Sequence, residues 1–212
     1  MKKLLSLFIL SLFLVLLSHT RVIAQNWDIN LLKYINPRYP NSSYWKNTSN
    51  SAYYVTGAVT LGTLVTGLAS NNDYIKHNAY ESLLNLSVST AITYGLKIAI
   101  NRERPADRYP DEVFVTSPLH GKSFPSGHTS LAFSTAATLS IEYKKWYITV
   151  PAYLWASSVG YSRMYLGRHY PSDVLGGAAV GIGSGYFTHW FNRQIFKGYY
   201  SKKNPSPQNP SQ

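Results

Sequence analysis

Five long stretches of small and apolar residues, separated by polar turns, most constrain how this chain can fold. They cover residues 52–69, 78–100, 126–141, 147–161 and 170–191. Each stretch is longer than an ordinary strand, and its length suits a long helix. No convincing strand pattern or internal repeat accompanies them. We therefore predict an all-α protein, an up-and-down helical bundle of five long helices.

The N-terminal residues 1–24 are typical of a secretory signal helix. Lys2 and Lys3 precede an apolar run at residues 4–17, and the segment ends in small residues at Ala24. This run is shorter than the roughly 20 residues of a membrane-spanning helix, which favours cleavage after Ala24 over an uncleaved anchor. The exported chain has no cysteine, so its stability must come from a sizeable core instead of disulfides.

The rest of the chain is predicted to form one domain with two flanking segments. A polar segment at residues 25–51 contains a short amphipathic helix near residues 27–35. The domain follows at residues 52–192, and a basic tail rich in Pro and Ser, with a composition typical of disorder, covers residues 193–212. The net charge of +11 favours anionic substrates or lipid headgroups over nucleic acid.

The charges of the turns bear on whether the bundle lies in a membrane. The turns at residues 71–77 and 142–146 and the C-terminal tail fall on one side of the bundle, and all carry Lys or Arg. This agrees with the positive-inside rule and favours a multi-pass inner-membrane protein with its other end in the periplasm. The overall hydropathy is modest, and the long helices contain Asn85 and Pro151, which a lipid environment disfavours. A soluble periplasmic bundle is therefore the alternative.

The first candidate motif is Lys97 with Arg104-Pro105, at the predicted end of the second long helix. The spacing is close to two helical turns, so both cations share one face if the helix continues to about Arg102. Such a pair suits phosphate binding, because lysine provides a point charge and the planar guanidinium of arginine can donate two hydrogen bonds at once. The simpler interpretation is a basic helix end favoured by the helix dipole.

The second motif is Pro125-Ser126-Gly127-His128, at the start of the third long helix. Ser126 can cap the helix, Gly127 allows close backbone approach, and the free N–H groups form an anion site. His128 then lies in the first turn, facing whatever these groups hold. The simpler interpretation is a serine cap followed by an exposed histidine.

The third motif lies between the fourth and fifth long helices. Pro171 suits the first position inside a helix, which makes Tyr170 the N-cap. Asp173 then reaches back to hold one ring nitrogen of His169, as a nucleophile must be held. Arg163 adds a guanidinium group. The simpler interpretation is a capped helix beside a surface histidine.

All three motifs fall at one end of an up-and-down bundle, and together they resemble the three-part signature of the type 2 phosphatidic acid phosphatase superfamily. The matching residues are Lys97-x6-Arg104-Pro105, Pro125-Ser126-Gly127-His128 and Ser162-Arg163-x5-His169-x3-Asp173. The resemblance covers residues 52–191. That superfamily includes lipid phosphatases, bacterial class A acid phosphatases and vanadium haloperoxidases.

The resemblance implies that His169 attacks phosphorus to form a phosphohistidine, with its ring oriented by Asp173. His128 would protonate the leaving alkoxide and then activate water. No metal or other cofactor is expected. The implied phosphate-binding residues are Lys97, Arg104, Ser126, Gly127 and Arg163.

The function expected from these motifs is metal-independent hydrolysis of phosphate monoesters or pyrophosphates, lipid-linked, in the bacterial cell envelope. Three alternatives stay open: a soluble periplasmic acid phosphatase, a vanadate-dependent haloperoxidase, and a non-enzymatic anion-binding envelope protein. Candidate substrates range from phosphatidic acid, lipid A phosphates and undecaprenyl pyrophosphate to small phosphomonoesters. Selectivity is expected to depend on the loop at residues 102–122, including His120. The sequence does not predict an oligomeric state.

Overall fold

The computed structural model describes residues 27–70, 73–117 and 121–195. Within these ranges every regular element is a helix, which confirms the all-α prediction. The helices are α1 (residues 27–35), α2 (Ser43–Ala69), α3 (Asp73–Ile100), α4 (Pro105–Arg108), α5 (Gly127–Tyr143), α6 (Trp146–Tyr165) and α7 (Pro171–Ile195). The predicted signal segment, His120 and the tail beyond residue 195 lie outside the described residues.

The five predicted long helices correspond to α2, α3, α5, α6 and α7. The largest difference is at the start of α2, which begins at Ser43 and not at residue 52. Ser42 caps this start, because its hydroxyl accepts a hydrogen bond from the Trp45 N–H at 3.4 Å. The polar residues before position 52 hid this part of the helix from a prediction based on apolar stretches.

Helix α5 is the centre of the bundle and packs against all four other long helices. Its buried side chains are alanines, serines and threonines, and such small residues allow neighbouring helices to approach closely. The approach to α7 is closest at two glycines. A Cβ at Gly177 would lie 2.6 Å from the Ser126 carbonyl oxygen, and one at Gly181 would lie 2.5 Å from the Ser130 carbonyl oxygen.

The predicted amphipathic helix α1 packs on the end of the bundle where α6 ends and α7 begins. Ile29 and Leu32 are buried in a cluster with Val113 and Tyr170. Directly after α1, the Asn36 side-chain N–H donates to the backbone oxygens of Phe114 and Tyr165, at 3.0 and 2.8 Å. The N-terminal segment is therefore fixed to this end of the bundle by apolar contacts and hydrogen bonds.

Two segments of the described chain, Ser43–Ala69 and Ile75–Arg108, are long and apolar enough to cross a membrane. Only 22% and 17% of their most apolar windows are buried inside the protein. Most residues of these windows are therefore at least partly exposed, for example Leu61, Val65 and Ile98.

Candidate active site

One end of the bundle contains a cavity of about 320 Å³. It is lined by residues near the end of α3, the start of α5, the end of α6 and the loop before α7. All three sequence motifs contribute to it, although they lie far apart along the chain. The charged and imidazole side chains in its wall are Lys97, Arg104, His128, Arg163, Arg168 and His169.

His169 lies in the loop before α7 and is held from the first turn of that helix. The Asp173 Oδ2 atom is 3.3 Å from His169 Nδ1, which is the contact expected from the spacing. The same oxygen accepts a hydrogen bond from the Tyr170 backbone N–H at 3.0 Å. His169 is 2% exposed and Asp173 is fully buried. This arrangement fixes the imidazole ring with Nε2 on the side away from the carboxylate.

The surroundings of His169 disfavour protonation of its ring. Burial lowers the pKa of His169 well below its ordinary value, and the charges of Arg163, Arg104 and Lys97 lower it further. A hydrogen bond with the backbone of Ser123 opposes this shift. A neutral imidazole at neutral pH is the form that can attack phosphorus.

His128 lies in the first turn of α5, in the wall of the same cavity. The Tyr53 ring of α2 packs edge-on against the imidazole, with 4.6 Å between the ring centroids. Tyr53 was not among the predicted site residues. Its contact holds the second imidazole in the cavity wall that also contains His169.

Lys97 and Arg104 both line the cavity, but not from one helix face as the spacing suggested. Helix α3 ends at Ile100, and Asn101 has a φ of 53°, a left-handed conformation that asparagine tolerates better than most residues. Arg104 is then the N-cap residue of α4. The two cations therefore approach the cavity from different segments.

Two of the arginines that line the cavity have a buried side-chain N–H group without a hydrogen-bond partner in the described part of the chain. The Nε atoms of Arg163 and Arg168 are buried and have no hydrogen-bond partner among the residues that the structure describes, whereas buried donors in proteins are normally paired. Arg163 is held by a 2.6 Å hydrogen bond from Nη1 to the Ser49 hydroxyl. Phosphate oxygens would suit these donors. Arg168 was not predicted, although it directly precedes His169.

The two remaining predicted residues have different positions. Gly127 lines the cavity, but Ser126 is fully buried behind it. Ser126 is the N-cap residue of α5, as predicted, yet its hydroxyl accepts a 2.8 Å hydrogen bond from the Thr129 hydroxyl and caps no backbone N–H. The prediction of a serine side-chain cap is therefore wrong, because a neighbouring hydroxyl takes its place.

Arg102 and Asp28 belong to the support of the site and were also missed. The Arg102 Nη1 atom donates to Asp173 Oδ1 at 2.7 Å, and Nη2 donates to Asp28 Oδ2 at 2.7 Å. The guanidinium also lies over the Tyr170 ring, 3.8 Å from its centroid. No spacing rule connects these residues, because they come from segments far apart in sequence.

Known proteins are similar to this chain in sequence and in fold. The family model described as PAP2 superfamily matches residues 79–197, more than half of the chain. A lipid A 1-phosphatase of Porphyromonas gingivalis is 46% identical over 78 residues, 35% of this chain and 17% of that relative. The undecaprenyl-diphosphatase BcrC of Bacillus subtilis is 27% identical over 139 residues, 66% of this chain and 70% of that relative. The match thus spans less than a fifth of the first relative.

Two solved structures have a similar fold. The crystal structure of Aquifex aeolicus LpxE has a TM-score of 0.62 and 32% identity, with 77% of this chain and 95% of that chain covered. A transmembrane PAP2 type phosphatidylglycerolphosphate phosphatase from Bacillus subtilis also has a TM-score of 0.62, at 23% identity, with 92% and 98% covered. The second likeness shows a common fold over nearly the whole chain.

Proposed function

The chain belongs to the PAP2 superfamily, and from this premise we propose that it is a metal-independent phosphatase acting on lipid-linked phosphate monoesters or pyrophosphates. The observation that carries this proposal is the cavity in which two imidazoles and four cationic side chains meet. An anion-binding protein would need the cations but not a buried histidine oriented by a carboxylate.

We assign the nucleophile to His169 and the proton transfers to His128. His169 Nε2 attacks phosphorus, and the bond from phosphorus to the leaving oxygen breaks as a phosphohistidine forms. His128 gives its proton to the leaving oxygen and then takes one from the water that attacks the phosphohistidine. Release of inorganic phosphate restores both rings.

Charge stabilisation is assigned to the cations of the cavity wall. Lys97, Arg104, Arg163 and Arg168 are placed to neutralise the non-bridging oxygens in the transition state. Gly127 brings the N-terminus of α5, with its partial positive charge, to the same cavity. These groups supply the neutralisation that a metal ion provides in other phosphatases, which supports the metal-independent part of the proposal.

A lipid-linked substrate is supported by the aromatic and apolar part of the cavity wall and by the surface of the bundle. Tyr53, Tyr94 and Leu131 line the cavity beside the phosphate-binding side chains. In α2 and the Ile75–Arg108 segment, few residues of the apolar windows are buried inside the protein, unlike those of core helices in a soluble protein. We propose that the bundle lies in a membrane and receives the lipid part of the substrate along this wall.

Tyr94 offers a test of this lipid-binding wall. We expect Tyr94→Ala to raise KM for a long-chain lipid phosphate about tenfold, because loss of aromatic contact of about 1.4 kcal/mol corresponds to that factor. KM for p-nitrophenyl phosphate should change by less than about twofold. Tyr80→Ala is the matched control, since Tyr80 is an exposed tyrosine of α3 outside the cavity wall. Equal changes for both substrates would contradict a lipid-specific role.

The absence of cysteine from the chain allows a direct test of orientation. We propose that the cavity end faces the periplasm, because the opposite end carries Lys144 and Lys145 in the α5–α6 turn. In spheroplasts, Asp111→Cys should react with a membrane-impermeant maleimide. Lys145→Cys should react only after permeabilisation. The reverse pattern would show the opposite orientation, and labelling of both would indicate a bundle that does not span the membrane.

Phosphate release by the purified full-length protein tests the function itself. The substrates would be lipid A, undecaprenyl diphosphate, phosphatidylglycerol phosphate and p-nitrophenyl phosphate, each with and without EDTA. Turnover of at least one lipid phosphate, unaffected by EDTA, is the expected result. Activity on soluble esters alone would favour the acid phosphatase alternative. Bromide oxidation with added vanadate and peroxide, without phosphate release, would favour a haloperoxidase.

A further inference from the structure

Helix α1 provides a buried carboxylate that reaches the start of α7. Asp28 is 3% exposed. Its Oδ1 accepts a hydrogen bond from the Ser172 backbone N–H at 2.8 Å, and its Oδ2 accepts hydrogen bonds from the Ser172 hydroxyl and the Arg102 guanidinium. Asp28 thus satisfies the Ser172 N–H group in the first turn of the helix that bears Asp173. It lies outside residues 79–197, which the family model matches.

Arg102 connects this carboxylate to the one that holds His169. Its Nη1 donates to Asp173 Oδ1 at 2.7 Å, while Asp173 Oδ2 faces the imidazole. Both oxygens of the fully buried Asp173 carboxylate therefore have a partner: Oδ1 contacts Arg102 and Oδ2 contacts His169. The guanidinium is fixed in turn by Asp28 on one side and by the Tyr170 ring on its face. The contacts form a continuous chain from α1 to the ring of His169.

We propose that Asp28 and Arg102 are positioning residues that hold Asp173, and through it the attacking imidazole, in the reactive orientation. This inference rests on the proposed function. Buried charges need partners, and Arg102 pairs with the two buried carboxylates at once. Without the charge of Asp28, the guanidinium would be drawn towards Asp173 alone. The hydrogen bond between Asp173 and His169 would then have a different geometry, and small changes in the position of a reacting group have large effects on rate.

The remaining contacts of α1 make this support rigid. Leu32 is fully buried, and Asn36 is bonded to the backbone at Phe114 and Tyr165. Asp28 is thus presented by a helix that is itself anchored at its far end. The N-terminal segment is, on this proposal, part of the catalytic apparatus and not only a connection to the preceding residues.

Asp28→Asn tests the proposal with little change in shape, because an amide oxygen can still accept from the Ser172 N–H. We expect kcat for p-nitrophenyl phosphate and for a lipid phosphate to fall about 10- to 100-fold. KM and the inhibition constant of inorganic phosphate should change by less than about twofold, since the cations of the cavity are untouched. Lys33→Gln is the matched control. It removes an exposed ion pair of the same helix with Glu112, and it should behave as wild type.

Variants of Arg102 show whether this residue positions Asp173 for catalysis or only stabilises the fold. Arg102→Lys should retain more activity than Arg102→Gln, because a cation can still pair with both carboxylates. The double variant Asp28→Asn/Arg102→Gln should be no slower than Arg102→Gln alone, since both changes interrupt the same chain of contacts. Thermal unfolding of each variant is measured alongside to confirm that it is folded.

Two results would overturn the positioning role. One is wild-type kcat in both Asp28→Asn and Arg102→Gln. The other is a loss of phosphate inhibition in proportion to kcat, which would mean that the whole cavity is damaged. Phosphate release by the wild-type protein distinguishes a failure of the positioning role from a failure of the proposed function. If it releases no phosphate, the proposed function fails and the positioning role with it, whereas active wild type with active variants removes the positioning role alone.

Discussion

His169→Ala should abolish phosphate release, with kcat reduced by about 10⁴-fold or more. The variant lacks the atom that forms the covalent bond to phosphorus, and no other imidazole in the described cavity wall is held by a carboxylate. The fold should persist, because Asp173 keeps its bonds to Arg102 and to the Tyr170 N–H. Phosphate release and the thermal unfolding midpoint are the measurements.

Trapping of the phosphohistidine intermediate tests directly whether His169 is the nucleophile. Wild-type protein quenched during turnover of a ³²P-labelled substrate should carry acid-labile, base-stable radioactivity, as a phosphohistidine does, and His169→Ala should carry none. His189→Gln is the matched control, because this α7 histidine contacts Glu81 away from the cavity and glutamine keeps a donor for it. Full turnover by His169→Ala would defeat the assignment of the nucleophile.

His128→Ala should reduce kcat about 10²- to 10⁴-fold for substrates with poor leaving groups, the usual size of general acid–base catalysis. An alkoxide leaving group, as in a lipid phosphate, needs a proton as its bond to phosphorus breaks. The p-nitrophenolate ion leaves readily without one, so its release should be slowed much less. The comparison of these two substrates in the same variant is the measurement.

Hydrolysis of the phosphohistidine, the second step, provides an independent test of His128. If His128 also activates water, the phosphohistidine should accumulate in His128→Ala with p-nitrophenyl phosphate. A burst of p-nitrophenolate equal to the enzyme concentration would report this accumulation. Equal losses for both leaving groups, with no burst, would contradict the acid–base role and leave His128 as a binding residue.

Short-range patterns in the sequence predicted the fold and most of the cavity wall. The contact between Asp173 and His169 follows from a proline at the helix start, because the turn geometry there is local. The convergence of the motifs follows from helices that alternate in direction, although α3 and α5 are joined by a long segment that includes α4. Nothing further was needed to place His128 and His169 at the same end of the bundle.

The features that were missed depend on contacts that local patterns do not encode. Asp28 and Arg102 meet because α1 folds back on the bundle, which the polar sequence before residue 52 does not show. Lys97 and Arg104 were assigned to one helix face because the left-handed turn at Asn101 was not foreseen. The Ser126 hydroxyl could accept a hydrogen bond either from a backbone N–H or from the Thr129 hydroxyl, and in the structure it accepts from Thr129.

The glycine contacts between α5 and α7 have a consequence for how such a protein can change its substrate. The carbonyl oxygens of Ser126 and Ser130 lie where side chains of α7 would otherwise be, and the Ser126 N–H donates to the Asp173 carbonyl oxygen at 2.9 Å. The separation of the two histidine-bearing segments is therefore set by main-chain atoms. On the proposed function, replacement of Tyr94 would change the contact with the alcohol or lipid portion of the substrate and leave this main-chain spacing as it is.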